Sequence, residues 1–260
     1  MTLQDGVRWS TDDGVATVTF DRPDRHNAMN LDMERRYGTV LRTLEQDRSV
    51  RAIVLTGSGK SFCPGADLDL LGGSPDESFD LSTVADAQAA AFVGKPVVAA
   101  VNGGCAGLGF VIACTADVRF AAAGAKFTTA FARRGLIAEY GLARLLPDLV
   151  GRGRAMDLML SGRTFTAEDA LAYGLVQEVV PFENLQTSAL EYASELARNS
   201  APRSMAVMKR QVREEADLTL EESGVRAAKL MLESFTHPEL AEGLASWAER
   251  RQPNFPPHPA

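Results

Sequence analysis

Residues 97–114, VVAAVNGGCAGLGFVIAC, decide the fold, because they join a short apolar run through small residues to a second apolar segment of helical length. Residues 52–71, AIVLTGSGKSFCPGADLDLL, repeat this construction. A short, β-branched, apolar run bounded by turn residues is typical of a strand that is covered on both faces of a parallel sheet. Each strand is therefore predicted to enter a glycine-rich turn that opens a helix, at the sheet edge where α/β proteins bind ligands.

The flanking segments continue the alternation of strands and helices. Residues 14–23 alternate apolar and polar side chains and end in proline, as a strand does. Residues 31–47 have helical periodicity, with Asn30 as a candidate N-cap. The apolar face predicted for this helix consists of Met33, Tyr37, Val40, Leu41 and Leu44. We expect a parallel α/β core with right-handed crossovers.

The remaining segments complete this outline. Residues 81–94 are predicted to form one helix and residues 118–124 a strand, while the small and acidic residues 71–80 favour a mobile loop. From about residue 141 the pattern is mainly helical, without a proline- or serine-rich linker. We predict a core over residues 1–198 and a helical C-terminal subdomain over residues 199–260.

Composition excludes several classes of protein. The chain has 260 residues, 45% hydrophobic, with 27 Lys and Arg against 34 Asp and Glu and a net charge of −7. This balance predicts neither a nucleic-acid nor a membrane partner. No signal peptide or membrane span is evident. The three cysteines, an odd number without ligand-like spacing, predict buried, reduced thiols in a cytoplasmic protein with no metal.

Two nucleotide-binding motifs fail on spacing. A phosphate-binding loop that ends in Gly59 and Lys60 requires a glycine where Val54 stands. A dinucleotide fingerprint beginning at Gly107 requires one where Ile112 stands. A nucleophilic Cys63 or Cys105 stays open as an alternative, although the chain has only three histidines and none lies near these cysteines in sequence: His26, His237 and His258.

The two glycine-rich turns offer backbone donors. Free N–H groups at a helix N-terminus hold an anion or a developing oxyanion, and the pairs Gly65–Ala66 and Gly107–Leu108 stand at such positions. Two N–H groups converging from different strands would form an oxyanion hole. The alternative is that the glycines only permit tight turns between strand and helix.

Four segments together carry a family resemblance. They are DRPDRHNAMN at 21–30, SFCPGADLDLL at 61–71, KPVVAAVNGGCAGLGFVIACTADVRFAA at 95–122 and HPELAEGLASWAERRQPNF at 237–255. In order and spacing they resemble the crotonase (enoyl-CoA hydratase/isomerase) superfamily. The resemblance implies an α/β, crotonase-like (ββα spiral) core with a helical C-terminal subdomain. It also implies an acyl-CoA substrate, no separate cofactor, and a homotrimer or dimer of trimers formed through the C-terminal helices.

The resemblance also assigns site residues. The backbone N–H groups of Ala66 and Leu108 would bind the thioester oxygen of the acyl-CoA. The residues expected beside coenzyme A are Arg25, Ala28, Ala66, Asp67 and Leu68, with Arg25 placed to meet a phosphate. An exposed surface charge without a ligand is the alternative for Arg25.

The chain departs from the family's hydratase pattern at two acids. Hydratases of the family use two glutamates, and the matching positions hold Val111 and Phe131, which would line the acyl site instead. Glu139 stands where some members place a catalytic acid, and its alternative role is to complement the N-terminus of the helix beginning near Tyr140. Tyr140 is a weaker candidate for proton transfer, and Asp86 is expected at the surface.

These assignments favour an enzyme that stabilises a thioester enolate with Glu139 as its sole acid/base. One carboxylate suffices to move a proton between two carbons, so double-bond isomerisation is preferred to hydration. Four alternatives stay open: a single-carboxylate hydratase, an acyl-CoA hydrolase, a decarboxylase, and a non-catalytic acyl-CoA binding protein.

Overall fold

The computed structural model describes residues 2–4, 6–67 and 82–257. The loop predicted at 71–80, the CoA-binding candidate Leu68 and His258 lie outside the described residues. The strands are β1 (Thr2–Gln4), β2 (Val7–Asp12), β3 (Val15–Phe20), β4 (Ala52–Gly57), β5 (Ser61–Cys63), β6 (Val97–Val101), β7 (Gly104–Ala106), β8 (Val118–Ala122), β9 (Lys126–Thr128), β10 (Phe165–Thr166) and β11 (Glu178–Val180).

Seven strands form the larger sheet, in the order β1-β2-β3-β4-β6-β8-β11. The pairs from β3 to β11 are parallel, as predicted from the apolar runs. β1, β2 and β3 are joined by antiparallel pairing, which adds an edge that the sequence pattern did not predict. The resulting sheet is mixed, with its parallel part at the centre and one end.

A second sheet of four strands, in the order β10-β9-β7-β5, was not predicted from the apolar and polar pattern of the sequence. β5, β7 and β9 each follow a strand of the larger sheet, so every repeat consists of two strands before the next helix. β5 and β7 pair in parallel, with Ser61 opposite Gly104 and Cys63 opposite Cys105. This repeat is the ββα spiral that the family resemblance implied.

The helices are α1 (Leu31–Gln46), α2 (Ser82–Ala87), α3 (Ala89–Phe92), α4 (Leu108–Thr115), α5 (Leu142–Val150), α6 (Arg152–Ser161), α7 (Ala167–Ala172), α8 (Phe182–Asn199), α9 (Pro202–Glu214), α10 (Leu220–Phe235) and α11 (Pro238–Glu249). The N-cap prediction for α1 is confirmed, since Asn30 Oδ1 accepts from the Met33 N–H at 2.9 Å. The single helix predicted over residues 81–94 is wrong, because α2 and α3 are separated at Gln88.

The larger sheet is covered on both faces. On one face α1 and α4 bury Ile53 and Leu55 of β4, together with the predicted apolar stripe of α1. On the other face α8 packs Ala189 and Ala193 against Val54 and neighbouring strand residues. Alternate residues of β4 therefore contribute to two separate apolar clusters, which is why the strand is apolar throughout.

The C-terminal helices are attached to the core through charged side chains of α9. Lys209 Nζ lies 2.7 Å from Asp117 Oδ2 and also donates to the Ala90 carbonyl at 3.0 Å. Arg213 pairs with the other Asp117 oxygen at 2.9 Å. The proposed division between residues 198 and 199 falls at the end of α8 and stays a prediction. Within the described residues, no helix is both long and apolar enough to cross a membrane.

Candidate active site

The first glycine-rich turn presents the Ala66 N–H. Met29 N donates to Gly65 O at 2.9 Å, and Asp67 N donates to Met29 O at 2.7 Å, which makes Met29 and Ala66 partners in a parallel bridge. In such a bridge the residue between the two bonds directs its own N–H to the opposite side. Among the described residues, the Ala66 N–H has no hydrogen-bond acceptor.

The second turn presents the Leu108 N–H. Gly107 has φ +51°, and α4 begins at Leu108, so this amide is one of the helix N–H groups without an intrahelical partner. A Cβ built on Gly65 would lie 3.5 Å from Leu108 N, and one on Gly109 would lie 2.2 Å from the Cys63 carbonyl oxygen. The two turns therefore touch through their backbones, and the glycines are needed for the close approach as well as for the turns.

An ion pair holds the segment before α1 against the first turn. Arg22 Nη2 lies 3.1 Å from Asp67 Oδ2, while its Nη1 donates to the Ala28 carbonyl at 2.7 Å. Both Asp67 and Ala28 were predicted to line coenzyme A, and the structure brings them together beside Ala66. We call the contacts of Arg22 with Asp67 and Ala28 the Arg22 clamp. Arg25 ends a 3₁₀ turn, Pro23–Arg25, next to this clamp, and the Arg25 side chain is exposed.

Val111 and Phe131 belong to one buried apolar cluster. Their exposed fractions are 0% and 5%. Leu108 lies in the same cluster, and Ala138 and Tyr140 pack against it. The two positions that would hold the hydratase glutamates are thus part of the apolar interior, with no carboxylate at either one.

Glu139 lies in the segment between residue 135 and α5 and is half-buried. Its carboxylate forms no hydrogen bond or ion pair with other residues in the described part of the chain. The N-cap position of α5 is Gly141, without a side-chain cap, and Glu139 lies two residues before it, so its alternative role of complementing the helix N-terminus stays open. Burial raises the pKa of the Glu139 carboxyl, which makes it a stronger base than an exposed glutamate.

The structure adds an acid that sequence reasoning missed. Glu34 of α1 is 3% exposed. Burial, chiefly, raises the pKa of Glu34 to about 7, and the negative charge of Asp86 adds to this effect. Asp86 itself is buried and bonded to Arg42 at 2.7 Å, so the expectation that it lies at the surface is wrong.

A helical signal for Glu34 was present in the sequence. Glu34, Tyr37 and Leu41 recur at intervals of three and four residues, which places the acid on the buried face of α1. The burial of Asp86 depends on Gly38 of α1, because a Cβ at that position would lie 2.0 Å from Asp86 Oδ1. The missing side chain lets α2 approach α1 and bury its aspartate.

The cysteine alternative is disfavoured by burial. Cys63, Cys105 and Cys114 are all free and buried, as predicted. Burial raises the pKa of Cys63 and of Cys114 to about 12 and that of Cys105 well above its usual value. Thiols in this state are poor nucleophiles. No group of three or more His, Cys, Asp or Glu side chains among the described residues is arranged to hold a metal ion.

The sequence and fold match known proteins across nearly the whole chain. The profile of the family described as enoyl-CoA hydratase/isomerase matches residues 10–257. The 1,2-epoxyphenylacetyl-CoA isomerase of Escherichia coli is 39% identical over 191 residues, covering 71% of this chain and 73% of that protein. A probable enoyl-CoA hydratase of Rhodobacter capsulatus is 35% identical over 255 residues, covering 96% and 97%.

Solved structures give the same result. An enoyl-CoA hydratase of Bacillus anthracis superposes with a TM-score of 0.91 at 26% identity, covering 96% of this chain and 99% of that one. A probable enoyl-CoA hydratase/isomerase of Mycobacterium abscessus superposes with a TM-score of 0.89 at 29% identity, covering 97% and 99%. Two sheets wound as a ββα spiral, two touching glycine-rich turns and these matches lead to one conclusion: the chain belongs to the enoyl-CoA hydratase/isomerase (crotonase) family, whose members act on acyl-CoA thioesters.

Proposed function

We propose that the protein isomerises the double bond of an enoyl-CoA, with the Ala66 and Leu108 N–H groups as oxyanion donors and Glu139 as the sole acid/base. The observation that carries the proposal is the combination of a half-buried Glu139 carboxylate, unpaired among the described residues, with apolar Val111 and Phe131. Of positions 111, 131 and 139, only position 139 holds a carboxylate. The site therefore cannot add water with a pair of carboxylates at these positions. A relative at 39% identity, the 1,2-epoxyphenylacetyl-CoA isomerase of Escherichia coli, likewise isomerises a CoA thioester.

The reaction needs a single proton carrier. The Glu139 carboxylate removes a proton from the carbon next to the thioester of a 3-enoyl-CoA. The C–H electron pair forms a double bond to the carbonyl carbon, and the carbonyl π pair moves onto the thioester oxygen. The Ala66 and Leu108 N–H groups stabilise the resulting dienolate. Protonated Glu139 then returns the proton to the carbon at the far end of the dienolate, which gives the 2-enoyl-CoA and restores the carboxylate.

We assign binding of the coenzyme A portion to the residues around the Arg22 clamp, beside the glycine-rich turn that carries Ala66. Ala28, Ala66 and Asp67 would line it, with Leu68 following, and the exposed Arg25 would meet a phosphate. The Arg22–Asp67 ion pair supports this assignment because it ties the segment before α1 to the first glycine-rich turn. No metal or redox cofactor enters the proposed reaction.

The first prediction concerns the product. In deuterated water, wild type is expected to convert 3-enoyl-CoA to 2-enoyl-CoA without adding water. Mass spectrometry would show deuterium at carbon in those turnovers in which the proton on Glu139 exchanges with solvent before it is returned. A saturated acyl-CoA of the same length serves as the control, because it can exchange its α-proton but cannot isomerise. Addition of water to 2-enoyl-CoA would contradict the proposal in favour of a single-carboxylate hydratase, and release of free coenzyme A would favour a hydrolase.

We also propose that the C-terminal helices assemble the chain into a homotrimer or a dimer of trimers. Large apolar side chains stand exposed on α9, α10 and α11: Met208, Val212, Leu220, Val225, Leu232, Phe235, Leu244 and Trp247. Apolar surface of this extent is typical of an obligate interface.

The second prediction tests the assembly at Trp247, which is 85% exposed. Trp247→Glu is expected to shift the protein from three or six copies toward smaller species in sedimentation equilibrium, because a charge buried at an apolar interface is costly. Leu160→Glu, at an apolar residue of α6 that is 70% exposed and lies outside these helices, is the matched control. A wild-type protein that sediments as one copy would contradict the proposal.

A further inference from the structure

Gln88 lies at the break between α2 and α3, where the sequence pattern predicted one continuous helix. Its backbone has φ −91° and ψ 0°, and it occupies the N-cap position of α3. Within the described residues, its side chain accepts from no N–H group of that helix, so Gln88 does not serve the usual purpose of an N-cap residue. The Gln88 side chain bonds to another part of the fold instead.

The Gln88 side chain reaches the segment that carries Glu139. Its Nε2 atom donates to the Tyr140 carbonyl at 2.8 Å, across 52 positions of the chain. A Cβ built on Gly141 would lie 3.0 Å from the same nitrogen, so the amide also packs against the residue after Tyr140. The break between α2 and α3 is therefore connected to the residue that directly follows the proposed acid/base.

The main chain that Gln88 contacts has an unfavourable conformation. Tyr140 has φ +49°, in the left-handed region, which is strained for a residue with a bulky side chain. Such a conformation persists only where surrounding contacts hold it. Among the described residues, the bond from Gln88 is the one hydrogen bond that the Tyr140 main chain makes.

The core fixes the base of the Gln88 side chain. Its neighbours Ala87, Ala89 and Ala90 are buried in the main apolar cluster. Because a close-packed interior resists displacement of these neighbours, the Gln88 bond transfers the rigidity of the core to the Tyr140 main chain.

The constraint continues from Tyr140 to Glu139. The Leu142 N–H donates to the Glu139 carbonyl at 2.9 Å, which closes a turn around Tyr140 and Gly141. Leu142 is fully buried at the start of α5, so the end of this turn is fixed as well. The Glu139 carboxylate has no partner of its own among the described residues, so its direction depends on the conformation of the turn.

We propose that Gln88 is a positioning residue, which holds Tyr140 in its left-handed conformation and thereby fixes the direction of the Glu139 side chain. The inference rests on the proposed function for the role of Glu139. Without the bond, the Tyr140 main chain relaxes toward an unstrained conformation and Glu139 moves away from the reacting carbons. A displacement of about 1 Å is enough to slow a reaction by about 10²-fold.

Three substitutions test the proposal. Gln88→Met keeps the length of the side chain and removes the donor. Gln177→Met is the matched control, because the Gln177 Oε1 atom also bonds to the main chain, accepting from the Arg119 N–H at 2.8 Å, between α7 and β11. Tyr140→Asn tests the strain, since asparagine adopts the left-handed conformation more readily than tyrosine.

Hydrogen exchange of the Leu142 amide, followed by NMR, is independent of turnover. This amide bonds to the Glu139 carbonyl, so its exchange rate reports whether the turn keeps its conformation. We expect exchange to be about 10-fold faster in Gln88→Met than in wild type and unchanged in Gln177→Met. An unchanged Leu142 rate in Gln88→Met overturns the proposal.

Steady-state kinetics on 3-enoyl-CoA measures the consequence for the reaction. Gln88→Met is expected to lower kcat by about 10- to 100-fold with little change in KM, whereas Gln177→Met lowers only the urea midpoint. In a Tyr140→Asn background, Gln88→Met should lower kcat by a smaller factor, because less strain is left for the bond to hold. A structural role of Gln88 alone would not depend on the residue at position 140.

The outcomes separate this inference from the proposed function. Faster Leu142 exchange with unchanged kcat in Gln88→Met would overturn the positioning role, as would equal losses of kcat in the two backgrounds. If wild type does not isomerise 3-enoyl-CoA, the proposed function fails, and the Leu142 exchange rate alone then decides whether Gln88 holds the turn that carries Glu139.

Discussion

Glu139→Gln is expected to lower kcat for isomerisation by about 10²- to 10⁴-fold, the usual contribution of a general acid/base, while KM stays close to the wild-type value. Glutamine has the shape of glutamate but cannot carry the proton between the two carbons. Steady-state kinetics on 3-enoyl-CoA measures the effect. In wild type kcat/KM should fall as the pH decreases through the raised pKa of Glu139, since the base must be ionised. The residual activity of Glu139→Gln should lack this acid limb.

Stability provides the control for this variant. Desolvation raises the pKa of Glu139 in the folded state, so ionisation costs stability as the pH rises from the unfolded to the folded pKa. Glu139→Gln should therefore be at least as resistant to urea as wild type at neutral pH. Glu183→Gln, at an exposed glutamate in the first turn of α8, should leave kcat unchanged. If Glu139→Gln isomerised as fast as wild type, another group would have to carry the proton.

Gly109→Ala is expected to destabilise the fold by on the order of 3 kcal/mol and to reduce kcat by at least about 10²-fold. The new Cβ would lie 2.2 Å from the Cys63 carbonyl oxygen, and backbone cannot rotate away as a side chain does. α4 must then move off β5, which carries the Leu108 N–H away from the Ala66 N–H. Urea denaturation and steady-state kinetics measure the two effects separately.

Gly153→Ala is the matched control for this substitution. Gly153 lies in α6, its φ is not positive, and no heavy atom lies within 4 Å of a Cβ built there. The same change should be neutral or stabilise the helix by up to about 1 kcal/mol. A Gly109→Ala variant with wild-type stability and kcat would show that α4 and β5 are not in close contact, and would remove the physical basis of the paired donors.

The larger elements of the fold follow from the sequence because they contain enough residues to show a period. β4 and β6 are apolar runs of five or six residues, and α1 spans more than four turns with a capped start. The second sheet was missed because β5, β7 and β9 have three residues each, too few for an alternation to be seen. α2 and α3 were joined into one helix because nothing at Gln88 is a strong helix breaker.

The site was predictable where backbone geometry defines it and less so where burial does. Glycine-rich turns after buried strands pointed to Ala66 and Leu108, and the structure brings the two turns into contact. The burial of Glu34 was missed because an acid beside the apolar face of a helix normally lies at the solvent-exposed edge of that face. Its burial depends on α2 and on the segment before α5, which are distant in sequence. Single-chain periodicity carries no information about such partners.

The three cysteines can report on local unfolding of the protein. Cys63 and Cys105 face each other across β5 and β7, and Cys114 lies one residue before the end of α4. Because all three thiols are buried and have raised pKa values, an alkylating reagent reaches them only when the surrounding layer opens. The order in which the native thiols are modified would therefore distinguish separation of the small sheet from fraying of the helix packed on it, without any cysteine being introduced.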